Sequence, residues 1–264
     1  DRRISATIAA MEARGLDGLL MFQQESMYWL TGYDTFGFCF FQCLYLGADG
    51  RLALLTRSAD LRQAQHTSII SDIRIWTDAA GAKPATQLRD MLESLGARGK
   101  RLGVENQSYG LTHANGKELD AALAGFAKLS DASDLVNMIR VVKSPAELEY
   151  VRKAGKLGDA ALKAAVKKTR AGADEGDILA AQQGAIFAGG GDYPANEFII
   201  GSGRDALLCR YKAGRRELSK RDQLTLEWAG VYRHYHAAFM RTLIIGKPTK
   251  QHRAMDKACR EALA

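Results

Sequence analysis

Residues 224–242 read LTLEWAGVYRHYHAAFMRT. One acid and two histidines, Glu227, His234 and His236, stand in an otherwise apolar and aromatic run with the composition of a β-strand. Residues two apart share a strand face. His234, His236 and Ala238 are therefore expected on one side, with Arg233, Tyr235 and Ala237 on the other. Ala229-Gly230 reads as the tight connection that folds the Glu227 strand back onto the histidines. A His-x-His pair beside a carboxylate can hold a divalent metal. The same groups can move protons without a metal, because imidazole titrates close to neutral pH. Both histidines can also be structural, satisfied by backbone and polar neighbours. Spacing alone leaves the three readings open.

Other residues could serve the same site. Arg210 lies in ALLCRYKAGRREL (206–218) and is a candidate bidentate clamp for a substrate carboxylate; an ion pair with Glu227 or another acid would use it equally well. Tyr193, Tyr232 and Tyr235 are candidates for orienting a substrate or donating to a developing oxyanion. Arg241 is expected at the end of a buried strand, paired with a structural acid. GSGRDA (201–206) is glycine-rich, but no helix-forming run follows it, so it reads as a loop and not as a phosphate cradle. Cys209 reads as a buried, inert thiol.

Two kinds of element must position these groups. Up to about residue 130, helix-period and strand-like segments alternate. Helices are expected over 4–15, near 58–66, and over 86–96 and 113–125; strands are expected at 17–22, 72–77 and 101–106. Residues 42–47 and 51–56 read as a hairpin turned by Asp49-Gly50, and 127–133 as a short edge. This alternation argues for an α/β domain with a mixed sheet. The composition then shifts around 133–154. Ser144-Pro145 followed by Glu147 marks the start of a long helix, 145–169. A helix over 174–188, a loop at 189–194, strands and turns over 195–246, and a helix from about 250 complete the chain. That last helix still runs at Ala264, so the second domain is expected to be incomplete.

Composition narrows the function classes. Of 264 residues, 47% are hydrophobic and 25% charged, enough for a large buried core. No apolar run reaches the ~20 residues that span a bilayer, and DRRISATIAAMEARG lacks the apolar centre of a secretion signal. The four cysteines are scattered without a CxxC pair, as in a reduced cytoplasmic protein. The net charge of +7 would permit an acidic partner, but much of it lies at helical spacing in 143–170, where it reads as a solvated face. Neither a nucleic-acid partner nor a membrane partner is expected.

Three further stretches carry a resemblance: MYWLTGYDTF (27–36), IRVVKSPAELEYVRKAG (139–155) and GKP (246–248). With the 226–242 hairpin, they resemble the creatinase/prolidase family, the pita-bread hydrolases that include Xaa-Pro aminopeptidases, prolidase, creatinase and ectoine hydrolase. The resemblance implies a creatinase-like α/β amino-terminal domain, residues 1–138, then an α+β pita-bread catalytic domain begun by residues 139–264. In the metallopeptidase members two aspartates of this hairpin hold a dinuclear metal centre. Here those places fall on Glu227 and Ala238, and a histidine place falls on Arg210. The family's remaining ligands would lie beyond Ala264.

Ala238 has no ligand atom, so the resemblance leans towards the metal-independent members. The stretches 190–195 and 227–236 look like the ectoine hydrolase version of the site. The implied activity is hydrolysis of a C–N bond, amide or cyclic amidine, in a small polar metabolite and without a cofactor. Glu227 would be nucleophile or general base, and His234 or His236 would carry protons. The alternatives are a divalent-metal (Mn or Zn) Xaa-Pro dipeptidase or aminopeptidase, and a catalytically inactive binding module. A homodimer is also implied, the amino domain of one subunit closing over the other's site. The aromatic segment Tyr33 to Phe41 is either that contact or core.

Overall fold

The run Gly18-Leu19-Leu20-Met21 is apolar without alternation and all four residues are buried, as in a strand covered on both faces. It forms β1 (Gly18–Met21) of a six-stranded sheet in a computed structural model that describes residues 2–208 and 215–264. The chain divides into two compact units, Asp1–Val142 and Lys143–Ala264.

In the first unit the other strands are β2 (Cys43–Gly47), β3 (Leu52–Arg57), β4 (Asp72–Trp76), β5 (Arg101–Val104) and β6 (Lys128–Asp131). Their order is β4-β3-β2-β1-β5-β6. The β1–β2 and β2–β3 pairs are antiparallel and the others parallel, which is the expected mixed sheet. Helices α1 (Arg2–Ala13), α2 (Gln24–Thr31), α3 (Leu61–Thr67), α4 (Pro84–Ser94), α5 (His113–Leu123) and α6 (Leu135–Val141) complete the unit. A domain division at 138/139 would cut α6. Leu20, Leu55, Leu88 and Val104 build one core cluster, and Leu19, Met21, Leu44 and Leu54 another. The alternation of β1 residues between the clusters shows the sheet buried from both sides.

Helix α2 was not expected from the sequence, and no side chain of its own end caps it. Its cap comes from a distant carboxylate. Glu105, fully buried, accepts the amides of Phe22 (3.0 Å) and Gln23 (2.8 Å) and the hydroxyl of Ser26 (2.5 Å). Burial pushes this carboxyl up to about 7, against the pull of those three donors. Tyr33 and Phe41 belong to the core, whereas Phe36, Phe38 and Phe40 are exposed.

The second unit begins as the sequence requires. Ser144 accepts the Glu147 amide, the Glu147 carboxylate accepts the Ser144 amide, and Pro145 opens α7 (Pro145–Lys168). Asp174 caps α8 (Glu175–Ala188) by accepting the Gly176 amide at 2.7 Å. Three antiparallel strands follow, β7 (Ile199–Ser202), β8 (Asp222–Tyr232) and β9 (Tyr235–Ile245), in the order β7-β8-β9, and α9 (Lys250–Leu263) comes last. Helix α7 lies so close on the sheet that two glycines are needed at the crossing. A Cβ on Gly230 would stand 1.9 Å from the Ala154 carbonyl oxygen, and one on Gly158 would stand 2.1 Å from the Phe239 ring. Trp228 stacks on Phe239 (centroids 5.3 Å apart, 13° between planes) and donates its indole N–H to Gly158 O at 3.0 Å. At the open end of the hairpin, Asp222 receives the Arg216 guanidinium at 2.7 Å and the Ser219 amide at 2.8 Å. Burial opposes its charge, but the Ser219 amide and Arg216 outweigh it and hold this carboxyl below its ordinary range. Among the described residues no helix is long and apolar enough to cross a membrane.

Candidate active site

The register of β8 on β9 decides which side chains share a face. Trp228 pairs with Phe239 and Gly230 with Ala237, and these face α7. Glu227 pairs with Met240, Ala229 with Ala238 and Val231 with His236, so all six of these lie on the opposite face. Glu227 and Ala229 are half-buried there, Ala238 and Met240 exposed. Ile199 of β7 stands beside Glu227 on the other flank. Ala238 thus sits diagonally next to Glu227, on its face, with Ala229 opposite: two methyl groups flank a carboxylate.

The hairpin turn differs from expectation. It falls at Arg233-His234, both left-handed (φ 49° and 62°), while Ala229-Gly230 continues the strand. A two-residue loop of this hand usually takes Asn-Gly, and an Arg-His pair carries no such signal. His234 therefore occupies the turn and does not line a strand face with His236 and Ala238.

The two remaining hairpin candidates point to the helix side. Tyr235 donates its hydroxyl to Glu147 Oε1 at 2.8 Å, and the Tyr150 ring lies 5.5 Å from Tyr232 and 5.6 Å from Tyr235. Lys153 approaches the Tyr232 ring at 4.7 Å. Neither tyrosine shares the Glu227 face, and both anchor the hairpin end to α7. Arg241 is exposed and donates to the carbonyl of Met240 at 2.7 Å, so the buried strand end expected for it is not found. Tyr193 is 80% exposed, its ring 4.9 Å from Phe187. Arg210 and Cys209 lie outside the described residues.

His236 shares the Glu227 face but not its vicinity. Val231, the partner of His236, lies four steps along β8 from Glu227, which is ~13 Å at the usual rise of a strand. The His236 ring is also engaged at both nitrogens. Nδ1 lies 2.9 Å from the His234 carbonyl oxygen, and Nε2 accepts the Ala195 amide at 2.9 Å. The structure therefore does not bring either histidine to Glu227. It brings in two residues that the sequence did not single out. Asp192 donates its amide to Val231 O (3.1 Å) and accepts the His234 amide (3.2 Å), and Ala195 meets His236. Asp192 and Ala195 stand in the GGDYPA stretch already noted, but their partners lie some forty positions away, beyond the reach of any local pattern.

Comparison with known proteins identifies the family. Residues 3–142 match the Creatinase/Prolidase N-terminal domain and residues 149–264 match Metallopeptidase family M24. The chain is 28% identical to an ectoine hydrolase of Halomonas elongata over 96% of its own length and 67% of the relative's. It is 30% identical to an uncharacterized hydrolase/peptidase of Sinorhizobium fredii, again over 96% and 67%. The fold matches that of a prolidase from Thermococcus sibiricus with a TM-score of 0.85 at 19% identity, over 99% of this chain and 70% of that one.

The metallopeptidase description implies a divalent metal. On the Glu227 face of β8 and β9 no second charged ligand stands beside it: Ala229, Ala238 and Met240 offer no hard donor, Thr225 and Thr242 offer neutral hydroxyls, and both nitrogens of His236 are engaged. Among the described residues no three His, Cys, Asp or Glu side chains are placed to hold an ion. The matched domains and the shared fold give the assignment: the chain belongs to the creatinase/prolidase family of C–N bond hydrolases, as an amino-terminal domain of that family joined to an M24 domain.

Proposed function

We propose that this chain is the larger part of a metal-independent hydrolase that opens an amide or cyclic amidine C–N bond in a small polar metabolite. One observation carries the reading. The position diagonal to Glu227, where the family resemblance puts the second carboxylate of a two-metal site, is Ala238, and Ala229 stands opposite it. The similarity to an ectoine hydrolase supports it.

In this mechanism the substrate carbon rests over the Ala229–Ala238 pair and Glu227 supplies the carboxylate. Acting as general base, Glu227 takes a proton from water; the water oxygen bonds to the carbonyl or amidine carbon, and the C–N bond breaks. The proton held by Glu227 passes to the departing nitrogen, so one group serves both transfers. Such a base contributes on the order of 100- to 10,000-fold. Tyr193 and Arg210 remain candidates for binding the substrate. Tyr232 and Tyr235 support the site by fixing the hairpin end, and no proton transfer is assigned to His234. Assembly as a homodimer is part of the same reading, checked by sedimentation of the full-length protein.

Replacing Glu227 by Gln tests the proposal. With ectoine as substrate, turnover should fall at least about 100-fold while the protein stays folded; turnover close to wild type would reject Glu227 as the base. The match to a metallopeptidase domain favours a second reading, an Xaa-Pro dipeptidase holding a metal. Under it, an Xaa-Pro dipeptide and not ectoine would be cleaved, and only after loading with Mn or Zn.

A further inference from the structure

Both ring nitrogens of His236 have partners of fixed polarity. The His234 carbonyl oxygen can only accept, so Nδ1 carries the proton; the Ala195 amide can only donate, so Nε2 offers its lone pair. Only the neutral Nδ1–H tautomer satisfies both contacts. The same hairpin end holds a second pair of bonds, from the Asp192 amide to Val231 O (3.1 Å) and from the His234 amide to the Asp192 carboxylate (3.2 Å). Together they seat the segment 191–195 on a turn whose two residues, Arg233 and His234, are both left-handed without being glycine.

The seat is close and directional. A Cβ on Gly191 would lie 2.6 Å from the Ile186 side chain and 2.8 Å from the Val231 carbonyl oxygen, so only glycine lets the segment approach. Val231 is fully buried, although Glu227 and Ala229, on the same face, are half open. The 191–195 segment is therefore held on the hairpin end through Val231, His234 and His236, with Tyr193 exposed and its ring against Phe187.

We propose that His236 is a positioning residue: through the Ala195 amide, its neutral Nδ1–H imidazole holds residues 191–195 on the hairpin end, beside the Glu227 face, and so sets how closely a substrate can approach that face. This rests on the Glu227 face being the active site. The latch itself is measurable without any substrate.

Long-range proton–nitrogen correlation on the ¹⁵N-labelled full-length protein reads the tautomer. The expected result is an Nδ1–H imidazole at His236 near neutral pH, with a protected Ala195 amide; an Nε2–H ring or an imidazolium would overturn the proposal. In H236A the Ala195 amide should exchange about tenfold faster or more, and H236Q, whose amide oxygen can replace Nε2, should restore protection. With ectoine as substrate, H236A should raise KM about tenfold with kcat within about twofold. A 100-fold loss of kcat at unchanged KM in H236A would make His236 a proton carrier and overturn the positioning role. A protein with the expected tautomer and exchange that turns over no C–N substrate would keep the latch and discard the Glu227 reading. Unchanged exchange in H236A would discard the latch whatever the activity.

Discussion

Ala238 faces Ala229 across the β8–β9 hairpin, one step along the face from the pair of Glu227 with Met240. A carboxylate thus stands beside two methyl groups on one face of the hairpin, and its cross-strand neighbours there, Met240 and Ala238, carry no charge.

Restoring the missing carboxylate tests that relationship. In A238D the new group stands about 7 Å from Glu227 by diagonal strand geometry. Turnover without metal should fall, because a second negative charge then stands beside Glu227 where the substrate carbon is proposed to rest. Unchanged kinetics across pH 4–8 would place the reacting carbon elsewhere.

The α7–β8 crossing should tolerate no side chain. G230A puts a methyl carbon 1.9 Å from Ala154 O and 2.4 Å from Gly158 N, both rigid backbone. A loss of about 3 kcal/mol in unfolding free energy is expected, read by urea denaturation. A loss below about 0.5 kcal/mol, the range of an indifferent surface change, would contradict this packing.

Glu105 gives the first unit a pH dependence of unusual sign. Its folded value of about 7 lies above the ordinary 4.5, because burial outweighs the Ser26, Gln23 and Phe22 donors. The folded state therefore holds this proton more tightly than the unfolded chain. The contribution to stability is full below about pH 4.5 and declines as pH rises to about 7, by roughly 3 kcal/mol. E105Q keeps an acceptor for the two amides and removes the titration. Its stability should lose that slope, and should exceed wild type by a similar amount at pH 8. Parallel pH profiles of wild type and E105Q would refute it.

Gln182 on α8 is fully buried, and neither polar atom of its side chain finds a partner among the described residues. Q182L should stabilise the protein by about 1–2 kcal/mol, since leucine removes an uncompensated desolvation. A destabilised Q182L would show that ordered water satisfies the amide.

Several of these features could be read before the fold was known. The β2–β3 hairpin was legible because Asp49-Gly50 supplies its turn, Gly50 adopting φ 83°. The start of α7 was legible because Ser144, Pro145 and Glu147 are all local signals. The carboxylate, its alanine neighbour and their common face survive in the structure even though the turn moved. The turn itself was hidden, since nothing in Arg233-His234 announces left-handed backbone. Helix α2 was hidden because its amino end is held by Glu105, some eighty residues later. The partner of His236 was hidden for the same reason: Ala195 contributes a backbone amide, which no residue type reports.

The most direct test of the account is the activity of the full-length protein after exhaustive removal of metal, with metal content measured in the same sample. The account expects ectoine turnover to persist undiminished with far less than one metal per chain, and to be abolished by E227Q. Turnover that disappears on chelation and returns in proportion to added Mn or Zn would contradict it.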